Sequence, residues 1–94
     1  MGKPDAKKVQ QNWESRGFSF GIFEDPPGRC WEDFVHGEDE LFMVLEGKVE
    51  LEMGKQVRLA EVGEEILIPA GVLHSVRNRG DTPSKWFYGY KYEN

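Results

Sequence analysis

From Phe18 onward, apolar residues recur at every second position in short runs, and glycine or proline cuts each run before it lengthens. A period of two is the repeat of a β-strand with one face buried. No stretch between these runs carries a helical period, so turns and loops must connect them. Strands joined that way pair antiparallel, and an all-β sandwich or barrel is the expected architecture.

The first run sets Phe18, Phe20 and Ile22 against Ser19, Gly21 and Phe23, a strand with one buried face. Asp25-Pro26-Pro27-Gly28 ends it, because proline has no amide to give a ladder and glycine accepts positive φ. Cys30 to His36 form a second strand, with Trp31, Asp33 and Val35 on one face and Cys30, Glu32, Phe34 and His36 on the other. After the polar turn Gly37-Glu38-Asp39, residues Glu40 to Leu45 are almost continuously apolar. Val49, Leu51 and Met53 alternate with Lys48, Glu50 and Glu52, and Gly54-Lys55 suits a type II′ hairpin into Val57–Leu59. Ile66–Ile68 follow the Gly63-Glu64-Glu65 turn, and Ile68-Pro69-Ala70-Gly71 fits a type I turn. Val72 to Arg77 and Trp86 to Tyr92 are the last two strands, separated by a loop from Asn78 to Ser84. The sheet structure is therefore expected over about residues 18–92.

Ahead of the strands, Ala6, Val9 and Trp13 share one face of a helix expected over about residues 5–14. Gly17 stands where a helix ends in the left-handed conformation. Packing against the sheet is its expected use. A chain of 94 residues without linker or repeat is expected to form a single domain. Its net charge of −5 argues against nucleic acid and against an anionic membrane surface. No apolar run approaches the roughly 18 residues of a membrane span. The opening M-G-K-P-D-A-K-K lacks the apolar core of a signal peptide, and Ala6 stands where a myristoylation signal on Gly2 wants Ser or Thr. Cys30 is the sole cysteine and makes no internal disulfide, so a reducing, cytoplasmic location is expected.

Candidate chemistry gathers on three residues. The two histidines, His36 and His74, both fall in apolar strand-like surroundings, and Glu40 opens the most apolar strand. An ionised carboxylate facing a core costs several kcal/mol unless it is paired or coordinated. No lysine or arginine occupies a core-like position in these strands, whereas a divalent cation would satisfy the charge. Two imidazoles and one carboxylate with open positions suit non-haem Fe(II), and the same donors accept Zn, Mn, Ni or Cu. The competing reading is a metal-free barrel in which His36 and Glu40 hydrogen-bond. Glu32, Phe34, Phe42 and Val44 are the candidate pocket-lining residues, Glu32 because strand parity puts it beside Phe34 and His36. Glu32 is either a substitute ligand or base, or a solvated residue near the mouth. Cys30 reads as a small buried hydrophobe. Trp86, Tyr88, Tyr90 and Tyr92 form a row that is either a ligand platform or, more commonly for such rows, sheet packing or a subunit contact. Without a Ser-His-Asp order, a phosphate loop or a C-x-x-C pair, no catalytic residue is assigned.

Gly28 to Asn78 resembles the paired motifs of the cupin superfamily. Gly28, His36, Glu40 and Gly47 fall in register with the first, G-x5-H-x-H-x3-E-x6-G, and Phe34 stands at its first histidine. Gly63, Pro69, Gly71, His74 and Asn78 match the second, G-x5-P-x-G-x2-H-x3-N, in full. The resemblance implies a small single-domain antiparallel jelly-roll β-barrel with one divalent metal inside, held by three histidines and a glutamate. Carried over residue by residue, His36, Glu40 and His74 keep three of those four roles. The resemblance also implies a small-molecule ligand and, with the small size of the chain, a homodimer joined through its first or last strand. Two classes of function stay open. One is a metal-dependent oxygenase, isomerase or lyase acting on a small polar or aromatic molecule. The other is a metal-free or non-catalytic module that binds or senses a small ligand.

Overall fold

Asp5 starts helix α1 (Ala6–Ser15) by accepting from the backbone amides of Lys7 (3.0 Å) and Lys8 (3.4 Å). Gly17 stops it. At φ +85° the chain reverses, and the Phe18 amide donates back to the Trp13 carbonyl at 2.9 Å. The computed structural model describes residues 3–92, so the Gly2 position weighed above lies outside it. No helix among the described residues is long and apolar enough to cross a membrane.

Eight strands follow among the described residues: β1 (Gly21–Asp25), β2 (Cys30–Phe34), β3 (Glu40–Glu46), β4 (Val49–Met53), β5 (Gln56–Ala60), β6 (Ile66–Ile68), β7 (His74–Asn78) and β8 (Ser84–Tyr90). They form two four-stranded sheets, ordered β1-β8-β3-β6 and β2-β7-β4-β5, and every pairing within them is antiparallel. This is a jelly roll of two facing sheets, left open at their edges rather than closed into a ring.

The sheets meet over Phe42, Val44 and Trp86 from one side and Val49, Leu51 and Val76 from the other. The reverse face of the first sheet is covered too. Leu41, Met43 and Phe87 pack there against Trp13 and Phe18, beneath α1. That second cluster explains why β3 is apolar at almost every position: it is buried on both faces, one by the opposite sheet and one by the helix. β8 is used in the same way, Trp86, Tyr88 and Tyr90 facing inward and Phe87 facing the helix, while Tyr92, past the end of the strand, is exposed.

Three local expectations need correction. The first strand begins at Gly21 rather than Phe18; Phe18 makes only an isolated bridge to Lys91, and Ile22 is exposed because α1 reaches no further than Phe20. The turn after β6 lies one residue later than expected. The Val72 amide donates to the Pro69 carbonyl (3.3 Å), and Gly71 takes φ +79° at the third position, as a type II turn requires. The third correction, in β2, decides what faces the interior.

Candidate metal centre

Regular alternation would put Trp31 and Phe34, three residues apart, on opposite faces of β2. Both point inward. Trp31 pairs with Val76 and Phe34 with His74, so three residues on β2 span two on β7. The slip is a bulge carried by Asp33, whose φ of +58° is the one left-handed value at a non-glycine among the described residues. The Asp33 amide donates to Ser75 Oγ at 2.9 Å and holds the kink.

The bulge also turns Glu32 outward. Its carboxylate takes a two-point ion pair from Arg77 (2.8 Å to each oxygen), which holds its pKa below the usual range. Arg77 reaches Glu50 and Glu52 as well, each at 2.7 Å. Glu32 therefore lies on the outer face of the second sheet and lines no pocket. Cys30 is exposed rather than buried for the same reason. Val44 also leaves the set of pocket residues, because it packs deeper between the sheets among Val49, Leu51 and Ala60. Phe34 and Phe42 do line the cavity.

At one end of the sandwich His36, Glu40 and His74 converge. Glu40 opens β3 and His74 opens β7, so both point inward from the first residue of their strands. His36 lies past the end of β2 in the loop before β3, where the Gly71 amide pins its carbonyl (2.9 Å). His36 Nε2 is 3.5 Å and His74 Nε2 3.7 Å from Glu40 Oε1, and one ligand atom from each residue lies within 4.8 Å of the others. A cation bound at about 2.0–2.2 Å separates its donors by roughly 3–4 Å, which both imidazole–carboxylate distances match.

The electrostatics of the cluster fit a cation as well. Glu40 Oε1 is buried and has no hydrogen-bond partner among the described residues. Burial, reinforced by the charge of Glu38, pushes its pKa up to about 7. The imidazole of His74 is driven the other way, mainly by burial, and so is held in the neutral form that ligates metals. His74 Nδ1 lies 3.3 Å from the Val72 carbonyl, which requires the proton on Nδ1 and leaves the Nε2 lone pair toward Glu40. These three residues could hold a divalent metal.

Below them is a cavity of about 230 Å³, walled by Phe34, Trp31, Phe42, Trp86, Tyr88 and Tyr90 among others. Phe34 lies nearly parallel to His36, with ring centroids 6.4 Å apart, and tilts against His74 at 6.2 Å. Tyr90 meets His36 edge-on at 5.0 Å, and burial beside Glu40 pushes its phenol up to about 12, so it stays a hydrogen-bond donor. Tyr88 crosses over Gly21, where a Cβ would meet its ring at 2.6 Å. Alternation in the last strand signalled Trp86, Tyr88 and Tyr90, and parity with His74 along β7 points to Val76; Trp31 was hidden by the bulge.

The fold is similar to several solved cupins. The cupin domain of Cnp3 from Schizosaccharomyces pombe superposes with a TM-score of 0.74 at 20% identity, covering 82% of this chain and 54% of that one. Oxalate oxidase in complex with glycolate gives 0.73 at 22% identity, with 85% and 44% covered. The DMSP lyase DddQ from Ruegeria pomeroyi gives 0.72 at 22%, with 82% and 39% covered. The chain thus spans about half or less of the length of these structures, and the likeness speaks for the fold. A search of curated proteins finds no match. The family model described as "Cupin domain" matches residues 21–90, from the first residue of β1 to the last of β8, and by that match the chain belongs to the cupin family.

Proposed function

We propose that this chain binds one divalent cation through His36, Glu40 and His74, and binds a small molecule in the cavity beside it. The observation that carries the reading is Glu40 Oε1, buried without a partner and faced by two imidazole nitrogens at 3.5 and 3.7 Å. An apolar protein interior does not keep such a group without compensation. Fe, Zn, Mn and Ni all suit two imidazoles and a carboxylate. When bound, the cation would supply Lewis-acid activation of an oxygen donor on the ligand. His74 contributes a lone pair oriented by its bond to Val72, Glu40 contributes the charge, and Tyr90 offers a phenol proton beside His36.

Similar folds include proteins described as an oxalate oxidase and a DMSP lyase, and a shared fold does not choose among oxygenase, isomerase and lyase chemistry. Phe34 at the fourth ligand position favours the non-catalytic alternative, in which the same site only captures its ligand. Turnover by metal-loaded protein, screened first by O₂ uptake, separates the two. The cation itself is tested by elemental analysis of protein purified without chelators and reloaded with each metal. One equivalent is expected to bind, and His74→Ala is expected to hold almost none while keeping its far-ultraviolet strand signal. Unchanged metal content in that variant would remove the reading.

A further inference from the structure

The cavity has two chemically different ends. At one end stand His36, Glu40, His74 and Tyr90, with His36 about a quarter exposed. The inner wall is Phe42, Val76 and Trp86, all buried, with Phe34 and Trp31 closing one side. Among the described residues no lysine or arginine lines it. The guanidinium of Arg29 stacks on the ring of Trp31 at 4.2 Å and faces Asp25 at 3.7 Å.

From this we infer that the ligand is a small aromatic monoanion, bound with its ring against Phe34, Trp31 and Trp86 and its anionic oxygen toward His36, Glu40 and His74. The inference rests on the cation proposed above. Charge sets the count. A divalent cation held by one carboxylate leaves a single positive charge in an apolar cavity, which one anionic group neutralises. A dianion would leave a negative charge with no cationic side chain to meet it. A neutral polyol would press hydroxyls against Phe42, Val76 and Trp86, where they find no partner. Size agrees: at interior packing density the cavity takes a molecule on the order of ten non-hydrogen atoms. Phe34 is the residue that makes the difference. Where the family motif has a ligand, this chain has a ring, which takes away a donor from the cation and adds an apolar wall for the ligand.

The test uses zinc-loaded protein, which has no redox chemistry, and four probes read by calorimetry and by tryptophan fluorescence. Benzoate carries both features; acetate lacks the ring, benzyl alcohol lacks the charge, and phthalate carries a second charge. Benzoate is expected to bind at least tenfold more tightly than each of the others, and at least tenfold more weakly to metal-stripped protein. Phe34→Ala is expected to lose fivefold or more for benzoate with no change for acetate, and Phe34→His to retain zinc more tightly while losing benzoate. Equal affinity for benzoate and acetate, or for benzoate and benzyl alcohol, or undiminished benzoate binding without metal, would overturn the inference. Zinc content is measured on the same samples. Full zinc without a benzoate preference sinks this inference alone, whereas absence of zinc sinks the cation reading and this one with it.

Discussion

Glu40 is where a single side chain has the largest consequences. Its carboxyl titrates near 7 in the fold against 4.5 when free, so between those values the folded chain holds a proton that the unfolded chain has lost. Stability from this group is therefore fully present below pH 4.5 and lost as the pH rises through 7. His74 runs the opposite way. Its lowered pKa makes stability rise with pH until the unfolded imidazole is neutral, above 6.5, so at pH 8 only the cost of Glu40 remains. In metal-free protein at pH 8, Glu40→Gln should raise stability by about 1–2 kcal/mol, less than the full ionisation cost because the amide is itself unsatisfied. Urea unfolding at pH 8 and pH 5 checks it, and the gain should vanish at the lower pH. The same variant should take up no cation. A residue that weakens the empty fold and is needed by the loaded one marks a site kept for binding.

Among the elements, β2 departs furthest from what its pattern implies. Its bulge brings Trp31, Phe34 and His36 to one face and sends Glu32 to the Arg77 cluster outside. Asp33 sits at φ +58°, a conformation short polar residues tolerate and β-branched ones do not. Asp33→Val should cost about 1–2 kcal/mol and reduce cation uptake with it, whereas Asp33→Gly should stay within about 0.5 kcal/mol of the parent. Thermal unfolding of both variants, with and without metal, distinguishes a positional role of the bulge from a merely strained residue. Helix α1 serves a different end. By covering Leu41, Met43 and Phe87 it lets β3 be apolar from Leu41 to Leu45, and so lets Glu40 begin a strand with no exposed side.

At the scale of the whole molecule, a ligand that binds only the folded state stabilises it by mass action. At a metal concentration a hundred times the dissociation constant the gain is about 2.7 kcal/mol. For a domain of this size that is a rise in Tm of roughly 10 °C or more. Protons compete for Glu40, so apparent affinity should fall by up to tenfold for each pH unit below about 7. Scanning calorimetry should accordingly find the large shift at pH 8 and little or none at pH 5. Equal shifts at both values would mean that Glu40 is not among the ligands.

How much of this was legible beforehand follows from which interactions are local. Strand period, the Gly54 hairpin, the helix cap at Gly17 and the spacing of His36, Glu40 and His74 relative to their turns are properties of neighbours in the chain. The amino-acid order alone therefore pointed to an antiparallel sandwich or barrel and singled out three candidate ligands, while the jelly roll was what the resemblance of the two motifs implied. Parity across β2 is not local. The bulge at Asp33 exists because of what β7 offers opposite it, so Glu32 and Cys30 were assigned to the wrong face and Trp31 was missed. Val44 was misplaced because alternation tells inside from outside but not depth: Phe42 and Val44 both point inward, and only the packing of the two sheets leaves space beside one and fills it beside the other. The fold class is a sum of short-range preferences; the shape of the cavity is decided by contacts between residues far apart in sequence, and only the tertiary structure contains them.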